Sequence, residues 1–128
     1  NAILATIDFL PTFANLTHSS IPTDRIIDGV DQTQLLLGES ETGARDTFYY
    51  QGNGFRKGNW KYLKAKHNVP GYAKDTNREL VEELYDLESD PSESKNLASE
   101  HPATVRQLKS LMLETETRTI EKNSRPKK

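Results

Sequence analysis

Cysteine is absent from this 128-residue chain, so it offers no disulfide, no thiolate nucleophile and no thiolate metal ligand. The same absence leaves the redox compartment open. Long apolar runs are missing as well, and none approaches the ~20 residues that span a bilayer. No signal peptide stands at the N-terminus. Neither sign of charge dominates. The formal net charge is −2, which gives no global pull toward nucleic acid or an anionic membrane. Histidine is scarce, and His18, His67 and His101 are scattered. None has a local neighbour that makes a Ser-His or metal pair. Apolar residues make up 34% against 28% charged, which predicts a thin core. A thin core suits a lobe resting on a larger surface, or a domain with long solvated ends.

What is present divides into helices, then strands, then a helix, with no internal repeat. The length suits one domain, 1–128, or one lobe of a larger one. Asn1-Ala2 reads as a cloning scar, with native sequence starting near Ile3. Ile7, Leu10 and Ala14, with Phe9, Phe13 and Leu16, form a wide apolar stripe at helical period. The stripe predicts a helix over 6–17, capped by Thr6 or Asp8, with Pro11 tolerable in its first turn. It is either core or the face that meets a further domain. Asp31 is the expected cap of a short helix over 32–37, which Gly38 stops. Thr47–Tyr50, Phe55–Lys57 and Trp60–Lys64 read as an antiparallel meander. Gly52-Asn53-Gly54 and Gly58-Asn59 supply its turns, with positive φ expected at both residues of the second. A long connection from His67 to Val81 leads to a fourth strand over 83–87. Val105, Leu108, Leu111 and Met112 predict a helix over 102–117, and residues 118–128 read as a fraying tail. The expected class is α+β: a small four-stranded antiparallel sheet packed with a C-terminal helix and preceded by an N-terminal helix.

Three local patterns carry possible chemistry, each beside a plainer reading. Asp24, Asp28 and Asp31 could gather around Ca²⁺, but no EF-hand loop pattern holds. The stronger reading makes Asp28-Gly29 a turn and Asp31 a cap, so no metal site is expected. Arg56, Lys57, Lys61, Lys64 and Lys66 interleave with Phe55, Trp60 and Tyr62, the mixture that single-strand binders use. A half-buried hairpin with a solvated outer face has the same composition, and the acidic balance favours that. Asn15-Leu16-Thr17 is a glycosylation sequon, with Leu16 inside the apolar stripe.

Three blocks and a strand matter when read together. The first runs Ile7-Asp8-Phe9-Leu10-Pro11-Thr12-Phe13-Ala14-Asn15-Leu16. The second runs Pro22-Thr23-Asp24-Arg25-Ile26-Ile27-Asp28-Gly29-Val30-Asp31 and on to Leu35-Leu36-Leu37-Gly38. Arg56-Lys57-Gly58-Asn59-Trp60-Lys61 follows. The last is Leu84-Tyr85-Asp86-Leu87, then Asp90-Pro91-Ser92-Glu93, then Asn96-Leu97-Ala98. In this order, over about residues 6 to 113, the chain resembles the C-terminal subdomain of type I sulfatases. The resemblance lies toward the arylsulfatase A and N-acetylgalactosamine-6-sulfatase branch.

The resemblance implies a lobe set against a large catalytic α/β domain, which is its expected partner. It implies hydrolysis of sulfate esters by the whole protein, through a formylglycine hydrate and a Ca²⁺ ion in that other domain. It also implies export of the parent, to a secreted or periplasmic setting. The catalytic half of the pattern is not matched here. The formylglycine motif C/S-x-P/A-x-R has a near miss at Ser20-Ile21-Pro22-Thr23-Asp24, where Asp24 stands in place of Arg. No catalytic residue and no cofactor are therefore assigned to this chain, which is expected to be inactive alone. In the family the connection before the last strand can approach the active-site mouth. Lys64, Lys66, His67 and Lys74 are the candidate residues for binding an anionic substrate there. Neither a nucleic acid nor a membrane is an expected partner. The competing class is a stand-alone module that binds anionic glycans. An isolated lobe is also expected to expose an apolar patch and to self-associate at high concentration.

Overall fold

The computed structural model describes residues 2–65 and 81–123. The chain forms two compact units, Asn1–Asp46 and Thr47–Lys128. The fold is α+β, with the expected four-stranded antiparallel sheet and flanking helices.

In the first unit a 3-10 turn, Thr6–Asp8, leads directly into helix α1, Phe9–Leu16. Asp8 does not cap with its side chain in the usual sense. Its Oδ2 accepts the backbone N–H of Ala5 at 3.0 Å, which ties down the turn entry. A loop then carries the chain to α2, Thr33–Leu36, a single turn closed by Gly38 at φ 74°. Gln32 occupies the cap position rather than Asp31. Asp31 nonetheless takes a capping bond, because its Oδ1 accepts the N–H of Thr33 at 2.9 Å.

The second unit holds strands β1 Thr47–Tyr49, β2 Gly54–Lys57, β3 Trp60–Leu63 and β4 Glu83–Asp86 in the order β1-β2-β3-β4. Every neighbour pair is antiparallel. The β1–β2 turn centres on Gln51 and Gly52, one residue before the predicted position, and both have positive φ. At the β2–β3 turn only Gly58 has positive φ, at 55°. That is the pattern of a turn whose first central residue alone must be left-handed, and Asn59 needs no such freedom.

Helix α3, Pro102–Asn123, covers one sheet face. Phe55, Tyr62 and Leu84 lie side by side in register on β2, β3 and β4. They pack with Val105, Leu108 and Met112 of α3, all six buried. Each such side chain contributes roughly 1.5–3 kcal/mol by leaving water, so this small cluster is the main adhesive of the unit. The helix runs six residues beyond the predicted end at 117. Its later turns are polar. Thr115, Thr117 and Thr119 each donate a hydroxyl to the carbonyl four residues back, at 2.8, 3.0 and 2.8 Å. This satisfies the hydroxyls within the helix.

Candidate functional site

Of the four predicted substrate-binding residues, Lys66, His67 and Lys74 lie outside the described residues. Lys64 is described. It is half-buried just after β3, and its N–H donates to the Asn53 carbonyl at 2.9 Å. The pairing of Leu63 with Glu83 brings both ends of the long connection to one end of the β3–β4 ladder.

Several elements hold this end together. The buried Tyr62 hydroxyl donates to Glu82 Oε1 at 2.6 Å. Lys109 of α3 donates to the same oxygen at 2.8 Å. Asn96 donates its amide to the Glu82 carbonyl at 3.0 Å and accepts the N–H of Leu84 at 3.0 Å. The Lys109 ammonium, then the Tyr62 hydroxyl, hold the Glu82 carboxyl below its ordinary range. Burial, and then the Glu82 carboxylate, push the Tyr62 phenol well up. Tyr62 therefore stays a neutral donor. Chemically this cluster anchors backbone, with the Glu82 carboxylate engaged by the Tyr62 and Lys109 donors.

Lys61 departs from the solvated outer face expected of the hairpin. It is only 7% exposed. Its Nζ meets both oxygens of Glu93 at 2.8 and 2.9 Å and sits 5.4 Å from the centroid of the Tyr50 ring. A buried ammonium needs such a partner. Phe55 and Tyr62 lie under α3, so they form no exposed stacking platform beside the cations.

The first unit is organised around a buried carboxylate. Asp8 is wholly buried, and the Arg45 guanidinium forks onto it, Nε lying 2.9 Å from Oδ2 and Nη2 closing on Oδ1. Asp8 Oδ1 also accepts the N–H of Val30 at 2.9 Å. Burial pushes this carboxyl up, but Arg45 and the two backbone donors outweigh it and hold its pKa at about 2. Thr12 Oγ1 accepts the N–H of Gln32 at 3.0 Å, and Asn15 donates to Asp31 at 2.8 Å. Gly29 passes so close to α1 that a Cβ there would lie 2.0 Å from the Ile7 carbonyl oxygen. The sequence blocks around Asp8 and Gly29 thus bind each other.

The aspartate trio is not gathered around a common point. Asp24 is exposed and paired with Arg25 at 2.8 Å, while Asp31 is engaged by Thr33 and Asn15. Among the described residues no three His, Cys, Asp or Glu side chains are placed to hold a metal ion. With no Cys, and with Asp24 where the formylglycine motif needs Arg, the residues here do not fit that prosthetic group either. A cleft of about 540 Å³ opens beside α2. Asp31, Thr33, Glu39, Ser40 and Thr42 are among its polar lining, which contains no cation.

No protein-family profile matches the chain. Individual proteins do. The chain is 32% identical over 124 residues to the N-acetylgalactosamine-6-O-sulfatase of Bacteroides thetaiotaomicron, a match that covers 91% of this chain. It is 42% identical to arylsulfatase G of Canis lupus familiaris over 48 residues, 38% of this chain and 9% of that protein. A solved 6S-sulfatase structure concerned with glycosaminoglycan metabolism in B. thetaiotaomicron superposes with a TM-score of 0.71 at 30% identity, covering 91% of this chain and 26% of that one. A solved 2-O glycosaminoglycan sulfatase shares the fold at a TM-score of 0.60 and 22% identity, with 94% and 26% covered. The chain spans about a quarter of the length of the relative it matches over most of its own residues, 24%. Over most of its length, then, the chain is similar to sulfatases in both sequence and fold, and it fits the C-terminal region of that family.

Proposed function

We propose that this chain is the C-terminal, non-catalytic lobe of a sulfatase that hydrolyses sulfate esters when whole. One observation carries the reading. The chain aligns over 91% of itself with a single block that is 24% of a sulfatase, yet its own residues offer neither the nucleophile motif nor a metal cluster among those described. The calcium and the formylglycine of the parent then belong to the catalytic domain, which this lobe supports. The parent acts in a secreted or periplasmic setting, and no described helix is long and apolar enough to cross a membrane.

The substrate class we assign to the parent is N-acetylgalactosamine 6-O-sulfate, after the name of the relative, in a glycosaminoglycan, after the solved 6S-sulfatase. For this lobe the contribution is electrostatic. Lys64, Lys66, His67 and Lys74 are the residues we assign to capture of the anionic substrate, since cations near an entrance raise the local concentration of a polyanion. Such a role changes capture rather than chemistry. In the full-length parent, Lys64→Ala and the pair Lys66→Ala with His67→Ala should raise KM for a sulfated oligosaccharide and leave kcat unchanged. The effect should shrink as salt rises. Unchanged KM and kcat in all these variants would remove the rim assignment.

A further inference from the structure

The cleft beside α2 is formed by the chain turning back on itself. Gly38, at φ 74°, ends the single turn of α2, and the Gln34 carbonyl then accepts the N–H groups of Glu39 and Ser40 at 2.8 and 3.1 Å. Residues 39–44 thereby return past α2 and supply the second wall. Ser40 Oγ fixes that wall by donating to the Thr42 carbonyl at 2.7 Å and accepting the Thr42 N–H at 3.2 Å. Gln32, only 1% exposed, ties the two walls together, because its Oε1 accepts the Ala44 N–H at 2.9 Å. Gly43 lets them come this close, since a Cβ there would lie 2.6 Å from Gln32 Oε1. The cleft is thus set by backbone and buried contacts before any ligand arrives.

Its chemistry is one-sided. Among the described residues that line it are two carboxylates, Asp31 and Glu39, no Lys, Arg or His, and one large apolar side chain, Leu35. Such a lining disfavours an anion and offers little to an apolar ligand. Asp31 is already engaged by the N–H and hydroxyl of Thr33 and by the Asn15 amide. Gln34 and Glu39 are exposed and make no side-chain hydrogen bond among the described residues. Gln32 matters most. Its amide nitrogen carries two donors. One faces the Ile3 carbonyl at 3.4 Å, a long contact, and the other has no acceptor among the described residues. A buried donor is costly to leave unmade. The cleft therefore offers a donor at its base and a carboxylate and an amide at its mouth, in about 540 Å³, an ordinary volume for a small-molecule site.

We propose that this cleft binds an uncharged, N-acetylated sugar. Its carbonyl takes the Gln32 N–H, its hydroxyl and amide groups serve Glu39 and Gln34, and it brings no charge to meet the carboxylates. An ammonium or metal ion would suit Glu39 but supplies no acceptor for Gln32. The choice among neutral sugars rests on the sulfatase reading: N-acetylgalactosamine without sulfate, after the relative's name. In the parent the site holds an unsulfated unit of the glycan, while the cations assigned above draw in the sulfated ones.

The test titrates the methyl glycoside of N-acetylgalactosamine into the isotope-labelled chain and follows it by NMR. Saturable shifts should gather at the Gln32 side-chain amide, Gln34 and Thr42. The 6-sulfated sugar should bind several-fold more weakly, repelled by Asp31 and Glu39. Glu39→Ala should weaken the neutral sugar about tenfold, the worth of one charged hydrogen bond, and leave the melting temperature unchanged. The titration of the unaltered chain decides even where a variant fails. Water alone at the Gln32 amide, with no saturable shift from the sugar, overturns the inference. So does equal binding of the sulfated sugar, or full affinity in Glu39→Ala. Sulfate release by the full-length parent is scored separately. Sugar binding by this chain beside a parent that releases no sulfate removes the catalytic reading and leaves the site in place. Sulfate release beside a chain that binds no sugar removes the site alone.

Discussion

Arg45 forks onto the buried carboxylate of Asp8 from 37 residues away, and this pair fastens the end of the first unit to its beginning. The Asp8 side chain is fully buried and that of Arg45 is 13% exposed. Removing one partner strands the other's charge out of water, at a cost of about 3–5 kcal/mol. Arg45→Met should therefore destabilise the chain by an amount of that order, read as a lower midpoint in urea. A change below about 0.5 kcal/mol, the level of an ordinary surface substitution, would contradict the assignment.

The same carboxylate sets an acid limit. Its folded pKa, about 2, lies below the ordinary 3.8, so the folded state binds this proton less readily than the unfolded state does. Its stabilisation is complete above the unfolded value and is lost as pH falls from about 4 toward 2. The shift corresponds to about 2 kcal/mol. Stability measured from pH 5 down to pH 2 should fall by that much more in the native chain than in Asp8→Asn. Parallel curves would show that Asp8 is not the group responsible.

Gly29 is required by space. A methyl group there meets the Ile7 carbonyl oxygen at 2.0 Å and the Pro11 ring at 3.1 Å. Gly29→Ala should push the loop off α1 and cost about 1–3 kcal/mol, with the loss confined to the first unit. Hydrogen exchange would show faster exchange at α1 and unchanged protection in β2 and β3.

Met112 and Leu113 are chain neighbours about 100° apart on α3, one turned to the sheet and the other away from it. Met112 is 5% exposed and packed on the sheet, whereas Leu113 is 50% exposed. Met112→Ala should cost about 2–5 kcal/mol, and Leu113→Ala less than about 0.5 kcal/mol. Thermal melts of the two variants check this directly, and similar losses from both would contradict the placement of α3.

Local signals read well in this sequence, and pairings across it did not. The 3.6-residue spacing around Phe9 and Phe13 located α1, because a stripe of that period needs a covered face whatever covers it. For the same reason the stripe left open whether the cover is this chain's own core, and the exposure of Leu10 and Phe13 answers that for the described residues. Alternating aromatics and Gly58 placed the β2–β3 hairpin within a residue or two, since a two-residue turn fixes its own register. Lys61 looked like a surface cation because its partner, Glu93, lies 32 residues on. Arg45 carried no signal at all for the same reason. Within the candidate site, only Lys64 falls among the described residues. Tyr62, Glu82 and Lys109 went unnoticed as a cluster. A buried tyrosine hydroxyl needs an acceptor, but the sequence does not say which one.

The central claim is that this chain is a supporting lobe and the chemistry lies in the rest of a sulfatase. Release of sulfate from 4-nitrocatechol sulfate, by this chain and by the full-length parent side by side, tests it most directly. The account predicts turnover by the parent and none by the chain alone. Turnover by the chain itself would contradict it, and would return attention to Ser20 and to Asp24, Asp28 and Asp31.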